Sequence, residues 1–142
     1  MRETRVPLEL VNLHKDGFHL LVEVVVFGQS FHVVLDTGAS KTVFDKTVIE
    51  KHMKNTELLS SELLSTGLGT SNMESHTIVL PVLKIGKFKL KNFEAAVLDL
   101  SMISQAYLNL NLPPVIGVLG GDILMPYQAI INYKKLHLKL FQ

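Results

Sequence analysis

Short, β-branched apolar segments follow one another along most of this chain, and turns that contain glycine separate many of them. Segments of this length between tight turns are typical of antiparallel strands. Many short strands with few helices predict a mainly β fold, a closed or partly closed β-barrel. The predicted strands are Leu8 to Leu13, Phe18 to Phe27, Phe31 to Leu35, Thr77 to Ile85, Phe88 to Leu98, Val115 to Leu119, Ala129 to Tyr133 and Leu136 to Leu140.

The sequence also predicts two or three short helices between the strands. Side chains that accept hydrogen bonds from free backbone N–H groups mark their starts, and Asp45, Ser101 and Asp122 are the predicted N-caps. The second helix runs to about Leu108 and ends before two prolines. Leu58 to Leu64 fits a strand or a continuation of the first helix, and periodicity does not decide between them.

Composition indicates a globular protein. At 142 residues the chain is most simply a single domain, 1–142, that is long enough to bury a core. Apolar residues make up 47% of it and charged residues 19%, which excludes a disordered polymer. The net charge is +1 and there is no run of lysine or arginine, so no nucleic-acid partner is expected.

Cysteine usage and hydropathy bear on the compartment. The absence of cysteine excludes disulfides and thiolate metal sites, and it fits a reducing compartment. The apolar stretch Leu20 to Phe27 is too short to span a membrane, and Glu23 interrupts it. No basic and then apolar leader opens the sequence. We therefore expect a cytoplasmic protein with no membrane partner.

The apolar run Phe31 to Leu35 ends on a carboxylate, in the pentapeptide Asp36-Thr37-Gly38-Ala39-Ser40. A carboxylate at the end of a buried strand, followed by a hydroxyl and a glycine, is how an aspartic peptidase presents its catalytic acid. That chemistry needs two carboxylates that share one proton, and the chain has one such motif, so two chains would build one site. The alternative is that Asp36 only ends a strand in a turn, where these residue types are common.

The chemistry that this motif predicts is general acid and base catalysis. Two carboxylates about 3 Å apart cannot both ionise near neutral pH. The charged one acts as a base on water, and the protonated one polarises the scissile carbonyl. No metal or other cofactor is needed. The six histidines lack metal-ligand spacing, and Gly67-x-Gly69 lacks the helix and third glycine of a phosphate-binding loop.

Asp122 is the other candidate acid, and it would make a monomeric enzyme with two carboxylates in one chain. No threonine and glycine follow it, however, and it comes directly after Gly120 and Gly121. This position favours a helix cap over a catalytic residue.

Four features, in order, resemble the retropepsin-like aspartic peptidases, the single-domain clan AA family that includes the retroviral and DNA-damage-inducible-type proteases. The similarity spans roughly residues 8 to 141 and is greatest to bacterial members, which carry a helical insertion like 101–112. The features are Val33 to Ser40, Gly67-Leu68-Gly69-Thr70 with Met73 and a following strand, Val118 to Leu124, and the closing hairpin Ala129 to Leu138.

The resemblance implies a retropepsin-like closed β-barrel and a role for each matching residue. Asp36 would be the catalytic residue, paired with its own copy across a homodimer. Thr37, Gly38 and Ala39 would support the catalytic loop, with Thr37 interlocking the two loops. The Gly38 carbonyl and the Ser40 amide would bind a peptide or protein substrate as an added strand.

The resemblance also places a flap at about residues 66–76, which would close over the substrate. Thr70, Ser71, Asn72 and Met73 would bind substrate from its tip, which has no aromatic residue. Leu119 and Gly120 would be structural, beside the catalytic loop.

The predicted function is therefore an aspartic endopeptidase. One alternative is a catalytically silent module that keeps the fold to bind peptides or to assemble. Another is a peptidase domain that is active only inside a larger complex. The intact Asp36-Thr37-Gly38 favours the enzyme, and the small polar flap favours the silent module.

Ala39 predicts the pH range of this activity. A hydroxyl at this position would donate a hydrogen bond to the ionised carboxylate and move activity to lower pH, and alanine has none. We therefore expect peptide cleavage to be fastest nearer neutral pH, as measured by a pH–rate profile. A maximum at about pH 2 to 3, where pepsin-like dyads titrate, would contradict this expectation.

Overall fold

The computed structural model describes residues 2–52, 59–60 and 76–142. The strands are β1 (Glu3–Asn12), β2 (Phe18–Val26), β3 (Gln29–Leu35), β4 (Val43–Asp45), β5 (Leu59–Ser60), β6 (His76–Ile85), β7 (Phe88–Leu98), β8 (Val115–Leu119), β9 (Ile130–Asn132) and β10 (His137–Phe141). The helices are α1 (Lys46–His52), α2 (Ser101–Asn109) and α3 (Gly121–Leu124), and a 3-10 turn covers His14–Asp16.

Six strands form a closed barrel in the order β2, β3, β8, β4, β7, β6 and back to β2. The closing contact is short, and it pairs Val25 of β2 with Lys84 of β6. The β3–β8 and β4–β7 pairs are parallel, and the other barrel pairs are antiparallel. The predicted mainly β, closed-barrel fold is confirmed.

A three-stranded sheet extends from the barrel. The second half of β1, residues 8–12, pairs with β2, and its first half, residues 3–7, pairs with β10. Strand β9 adds to the other edge of β10. Over residues 137–139, β10 is therefore paired on both of its edges.

The barrel interior is filled mainly by aliphatic side chains that alternate with outward-facing residues along the strands. On β2, Val22, Val24 and Val26 are buried, and Glu23 between them is exposed. This period of two places one face of each strand in the core. Full burial of each such side chain stabilises the fold by about 1.5–3 kcal/mol.

A second, smaller core lies between α2 and the outer face of the barrel. Tyr107 of α2 is buried there against Val11, Leu21 and Val34 of the first three strands. Its hydroxyl lies 2.7 Å from Nδ1 of His19, and burial raises the pKa of Tyr107 to about 12. The tyrosine therefore stays protonated and attaches α2 to the barrel.

Two of the three predicted N-caps are wrong. Leu100, not Ser101, is the N-cap of α2, and Gly120, not Asp122, is the N-cap of α3. At α2, the backbone N–H of Ser101 donates to Oδ1 of Asp99 at 2.9 Å, and this bond lowers the pKa of Asp99. Asp99 thus satisfies a free amide of the first turn from outside the helix.

Asp45 does precede its helix directly, as predicted, and it is buried. Its Oδ1 accepts the backbone N–H of Leu100 at 2.9 Å, so the carboxylate also connects the start of α1 to the end of β7. The residue ends β4, a three-residue strand that sequence periodicity did not predict because it is too short to show an alternation.

The segment Leu58 to Leu64 lies mostly outside the described residues. Its part at Leu59–Ser60 is a strand, and this strand pairs with Thr77 and His76 of β6. Of the predicted flap at 66–76, residues 66–75 lie outside the described residues, and His76 is the first residue of β6.

His137 is buried in the three-stranded sheet, at the start of β10. Desolvation, followed by the positive charges of Arg5, Lys139 and Lys135, lowers its pKa below the ordinary value of 6.5, and Glu3 opposes this shift. The folded protein therefore binds a proton at His137 less readily than the unfolded chain does. The group contributes stability above about pH 6.5, and that stability is lost as the pH falls below this value.

We expect urea unfolding to show this effect. The free energy of unfolding of the wild-type protein should fall between about pH 7.5 and pH 5.5, and that of His137→Gln should fall less. The control is His14→Asn, at an exposed turn residue with φ of 60°, where asparagine is tolerated. The control should keep the wild-type pH dependence. An unchanged dependence in His137→Gln would show that this site does not titrate as proposed.

Candidate active site

Asp36 follows the last residue of β3 directly and its side chain is exposed, whereas Leu35 before it is buried. The parallel neighbour β8 sets this position, because Leu35 pairs with Leu119. The backbone N–H of Asp36 then donates to the Leu119 carbonyl at 3.0 Å. The carboxylate is therefore presented to solvent from a backbone that the barrel holds in place.

The turn after Asp36 orients its carboxylate. The backbone N–H of Gly38 donates to Oδ1 of Asp36 at 2.9 Å, and the N–H of Ala39 donates to the Asp36 carbonyl at 3.2 Å. Among the described residues, no hydrogen bond reaches Oδ2. One carboxylate oxygen is thus held by the loop, and the other is available to a second group.

Gly120 lies against the loop that follows Asp36, at a distance that only glycine permits. A Cβ at this position would stand 2.7 Å from the carbonyl oxygens of both Ala39 and Lys41. Real Cβ atoms do not approach this closely, so another residue here would displace the loop. The next residue, Gly121, donates its N–H to the Ala39 carbonyl at 2.7 Å.

The far end of the loop is held by Thr42 and Asp122. The N–H of Thr42 lies 2.9 Å from each carboxylate oxygen of Asp122, and its hydroxyl donates to Oδ1 at 2.7 Å. The same hydroxyl accepts the N–H of Gly120 at 3.0 Å. Thr42 is fully buried, so these hydrogen bonds satisfy polar groups that water does not reach.

Sequence reasoning missed this pair. Thr42 had no predicted role, and Asp122 was assigned to a helix cap. The two residues are 80 positions apart, and no local pattern links them. The one available signal was an acidic residue two positions after Gly120, on the segment that was predicted to lie beside the catalytic loop.

The structure brings most of the sequence-predicted site residues together. Hydrogen bonds or close approach connect Asp36, Gly38 and Ala39 to Leu119 and Gly120. Thr37 and Ser40 lie in the same loop with exposed side chains. The predicted flap residues lie outside the described part of the chain, and they are Thr70, Ser71, Asn72 and Met73.

A family model described as aspartyl protease matches residues 22–123, which include Asp36, the loop that follows it and β8. The chain belongs to the aspartyl protease family. A search of curated proteins gave no significant match to this family member.

Solved structures of retropepsin-like proteins share the fold of this aspartyl protease family member. A retropepsin-like aspartic protease from Rickettsia conorii is 22% identical with a TM-score of 0.60, over 98% of this chain and 90% of that chain. The retroviral protease-like domain of Ddi1 from Leishmania major is 16% identical with a TM-score of 0.56, over 82% of each chain. EIAV protease, complexed with the inhibitor HBY-793, is 19% identical with a TM-score of 0.54, over 79% of this chain and 90% of that chain.

The predicted family resemblance is confirmed at the level of fold and family. Identities of this size establish the retropepsin-like barrel, and activity depends on the site and not on the fold. Among the helices of the described residues, none has the length and apolar character needed to cross a membrane.

The Asp122 contacts lead to a stability prediction. Asp122→Ala would leave the buried N–H and hydroxyl of Thr42 without their acceptor, so we expect a loss of about 2 kcal/mol in the free energy of unfolding. Asp122→Asn keeps one oxygen acceptor and should lose about half as much. Urea unfolding of both variants measures the difference. Equal stability of Asp122→Ala and the wild-type protein would contradict the proposed contribution of this contact.

Proposed function

We propose that this chain is an aspartic endopeptidase that acts as a homodimer, with one site built from two copies of Asp36. The observation that carries the proposal is the exposed Asp36 carboxylate, whose loop is held by β8 and α3 through Leu119 and Gly120. Membership of the aspartyl protease family supports it. One chain offers a single Asp-Thr-Gly, and a two-fold axis supplies the second carboxylate.

In the proposed mechanism, the two Asp36 carboxylates share one proton. The ionised one removes a proton from water, and the water attacks the scissile carbonyl. The protonated one donates its hydrogen bond to the carbonyl oxygen, on which negative charge develops. In each protomer, the Gly38 N–H holds one oxygen of Asp36. This bond would fix the orientation of the dyad. Collapse of the tetrahedral intermediate returns a proton to the leaving amine.

The proposed substrate is an extended peptide or a segment of a protein. It would lie along the catalytic loop as an added strand, with the Gly38 carbonyl and the Ser40 amide as its backbone partners. The flap, proposed at 66–76, would cover it with Thr70, Ser71, Asn72 and Met73. Thr37, which is exposed beside Asp36, would bond to the second protomer.

Exposed apolar side chains on the segment that follows Gly120 support a second copy as the partner. Met125 is 80% exposed, Ile130 is 52% exposed and Tyr133 is 69% exposed. Ile130 lies on β9, and β9 occupies one edge of β10 while β1 occupies the other. We propose that the second protomer covers this surface, because it is continuous in sequence with the glycines that contact the catalytic loop.

The proposal predicts that dimerisation and the Asp36 carboxylate are both necessary for cleavage. We expect the wild-type protein to sediment as a dimer and to cleave members of a peptide library at some pH between about 3 and 8. Asp36→Asn should sediment in the same way and lose cleavage by at least about a thousandfold, because asparagine cannot act as the base.

One further variant separates the chemistry from the assembly. Ile130→Asp places a charge on the proposed interface and should shift the protein toward monomer, with loss of cleavage although Asp36 is intact. Equal cleavage by the wild-type protein and Asp36→Asn would indicate a contaminating protease. A wild-type protein that stays monomeric and cleaves nothing over the whole pH range would refute the proposed function.

A further inference from the structure

The β6–β7 hairpin concentrates positive charge on the outer face of the barrel. Lys84 of β6, Lys87 of the turn, and Lys89 and Lys91 of β7 are all exposed. The hairpin, residues 76–98, carries one acidic residue, Glu94, although the whole chain has a net charge of only +1. In the described part of the chain, no ion pair joins any of these lysines to a carboxylate.

Two of these lysines are placed directly opposite each other. Lys84 of β6 pairs in register with Lys89 of β7, and Lys91 follows two residues later on the same face. Like charges directly opposite each other on a sheet destabilise it. Glu23 lies on the neighbouring strand β2, two residues before Val25, which pairs with Lys84. Among the described residues, Glu23 forms no ion pair with any of these lysines. The pair therefore creates a positive potential that an external anion would neutralise.

The same two lysines line a groove that is otherwise mainly apolar. The groove has a volume of about 400 Å³, and Lys84 and Lys89 share its lining with Phe27, Pro81 and Val82. Apolar walls with a few charged groups, in a cleft of this size, are typical of a ligand site. Val82 is 36% exposed, so an apolar side chain of a ligand that enters the groove would cover Val82 and remove its surface from water.

One wall of the groove is held in an unfavourable backbone conformation. Phe27 has φ of 56°, in the left-handed region that bulky residues rarely adopt. Its ring stacks on His52 at the end of α1, with centroids 5.5 Å apart and planes at 11°, and Phe31 contacts the same imidazole edge-on at 5.7 Å. These contacts fix the wall, so the groove is already formed before a ligand binds.

The groove is remote from the proposed catalytic site. The Phe27–Gly28 turn precedes β3, and Asp36 follows the other end of that strand. At about 3.3 Å per residue, the two ends are roughly 25 Å apart. A ligand in the groove would therefore bind far from Asp36.

We propose that this groove, formed by Phe27, Pro81, Val82, Lys84 and Lys89, binds an acidic segment of another protein that carries an apolar side chain among its carboxylates. The carboxylates would neutralise the opposed lysines, and the apolar side chain would enter between Phe27 and Val82. A concave surface favours such a segment over a flat membrane surface, because a single side chain can be enclosed. Under the proposed function, a substrate held there would gain affinity from contacts far from Asp36.

The test uses the Asp36→Asn protein, so that neither cleavage nor the proposed protease activity enters the measurement. The probe is a short fluorescein-labelled peptide in which glutamates alternate with leucine and phenylalanine, and fluorescence anisotropy measures its affinity. One matched peptide has glutamine in place of glutamate, and another has serine in place of the apolar residues. We expect both matched peptides to bind at least about tenfold more weakly than the probe.

Charge reversal locates the site. Lys84→Glu with Lys89→Glu should weaken probe binding at least about tenfold, whereas Lys134→Glu with Lys135→Glu, at the exposed β9–β10 turn, should leave it within about twofold. Val82→Ser should weaken the probe and leave the serine-substituted peptide unaffected. Lys84→Glu alone should also raise the midpoint of urea unfolding, because it replaces a repulsive cross-strand pair with an attractive one.

Several results would overturn the proposal. Equal weakening by the two double reversals would mean that the probe senses only net charge. Equal affinity for the glutamate and glutamine peptides would show that the lysines do not bind the carboxylates of the probe. Binding to phosphatidylserine vesicles that depends on Lys84 and Lys89, with no binding of the peptide, would assign the surface to a membrane instead.

Discussion

The loop that carries Asp36 has little regular structure of its own, and its geometry depends on the contact with the β8–α3 junction. Gly120 fits against two of its carbonyl groups where no side chain fits, and the neighbouring peptide groups bond to Asp36 and Ala39. Thr42 completes the contact through Asp122. Because these groups are inside or at the edge of the barrel, the position of the carboxylate depends on the packing of the whole barrel. A chain of this size thereby places one acidic residue in a defined geometry without a disulfide.

The barrel itself follows from simple patterns in the sequence. The β-branched, apolar residues of β2 and the glycine turn between β6 and β7 predicted these strands within a few residues. Asp36 was predicted to be the catalytic residue because a carboxylate, a hydroxyl and a glycine follow a buried strand. In each case the signal lies within about ten consecutive residues, so it can be read without knowledge of the tertiary structure.

What could not be predicted depends on contacts between distant parts of the chain. The bond between Thr42 and Asp122 joins residues 80 positions apart, and each residue is unremarkable in its own surroundings. The N-caps of α2 and α3 were assigned to the wrong residues, because local propensity favours Ser101 and Asp122 while tertiary contacts set the helix starts. Opposed lysines at positions 84 and 89 likewise become visible only when the hairpin register is known.

The parallel pairing of β3 with β8 has a consequence for folding. Asp36 is in the first third of the chain, but the groups that hold its loop are at Leu119 to Asp122, near the end. A loop closed over so many residues forms slowly, and contacts of such separation order late in folding. During synthesis the N-terminal strands emerge first. The nascent chain therefore carries Asp36 on an unsupported loop until β8 and α3 have left the ribosome, and the proposed protease cannot acquire its catalytic geometry before residues 119–122 have been translated.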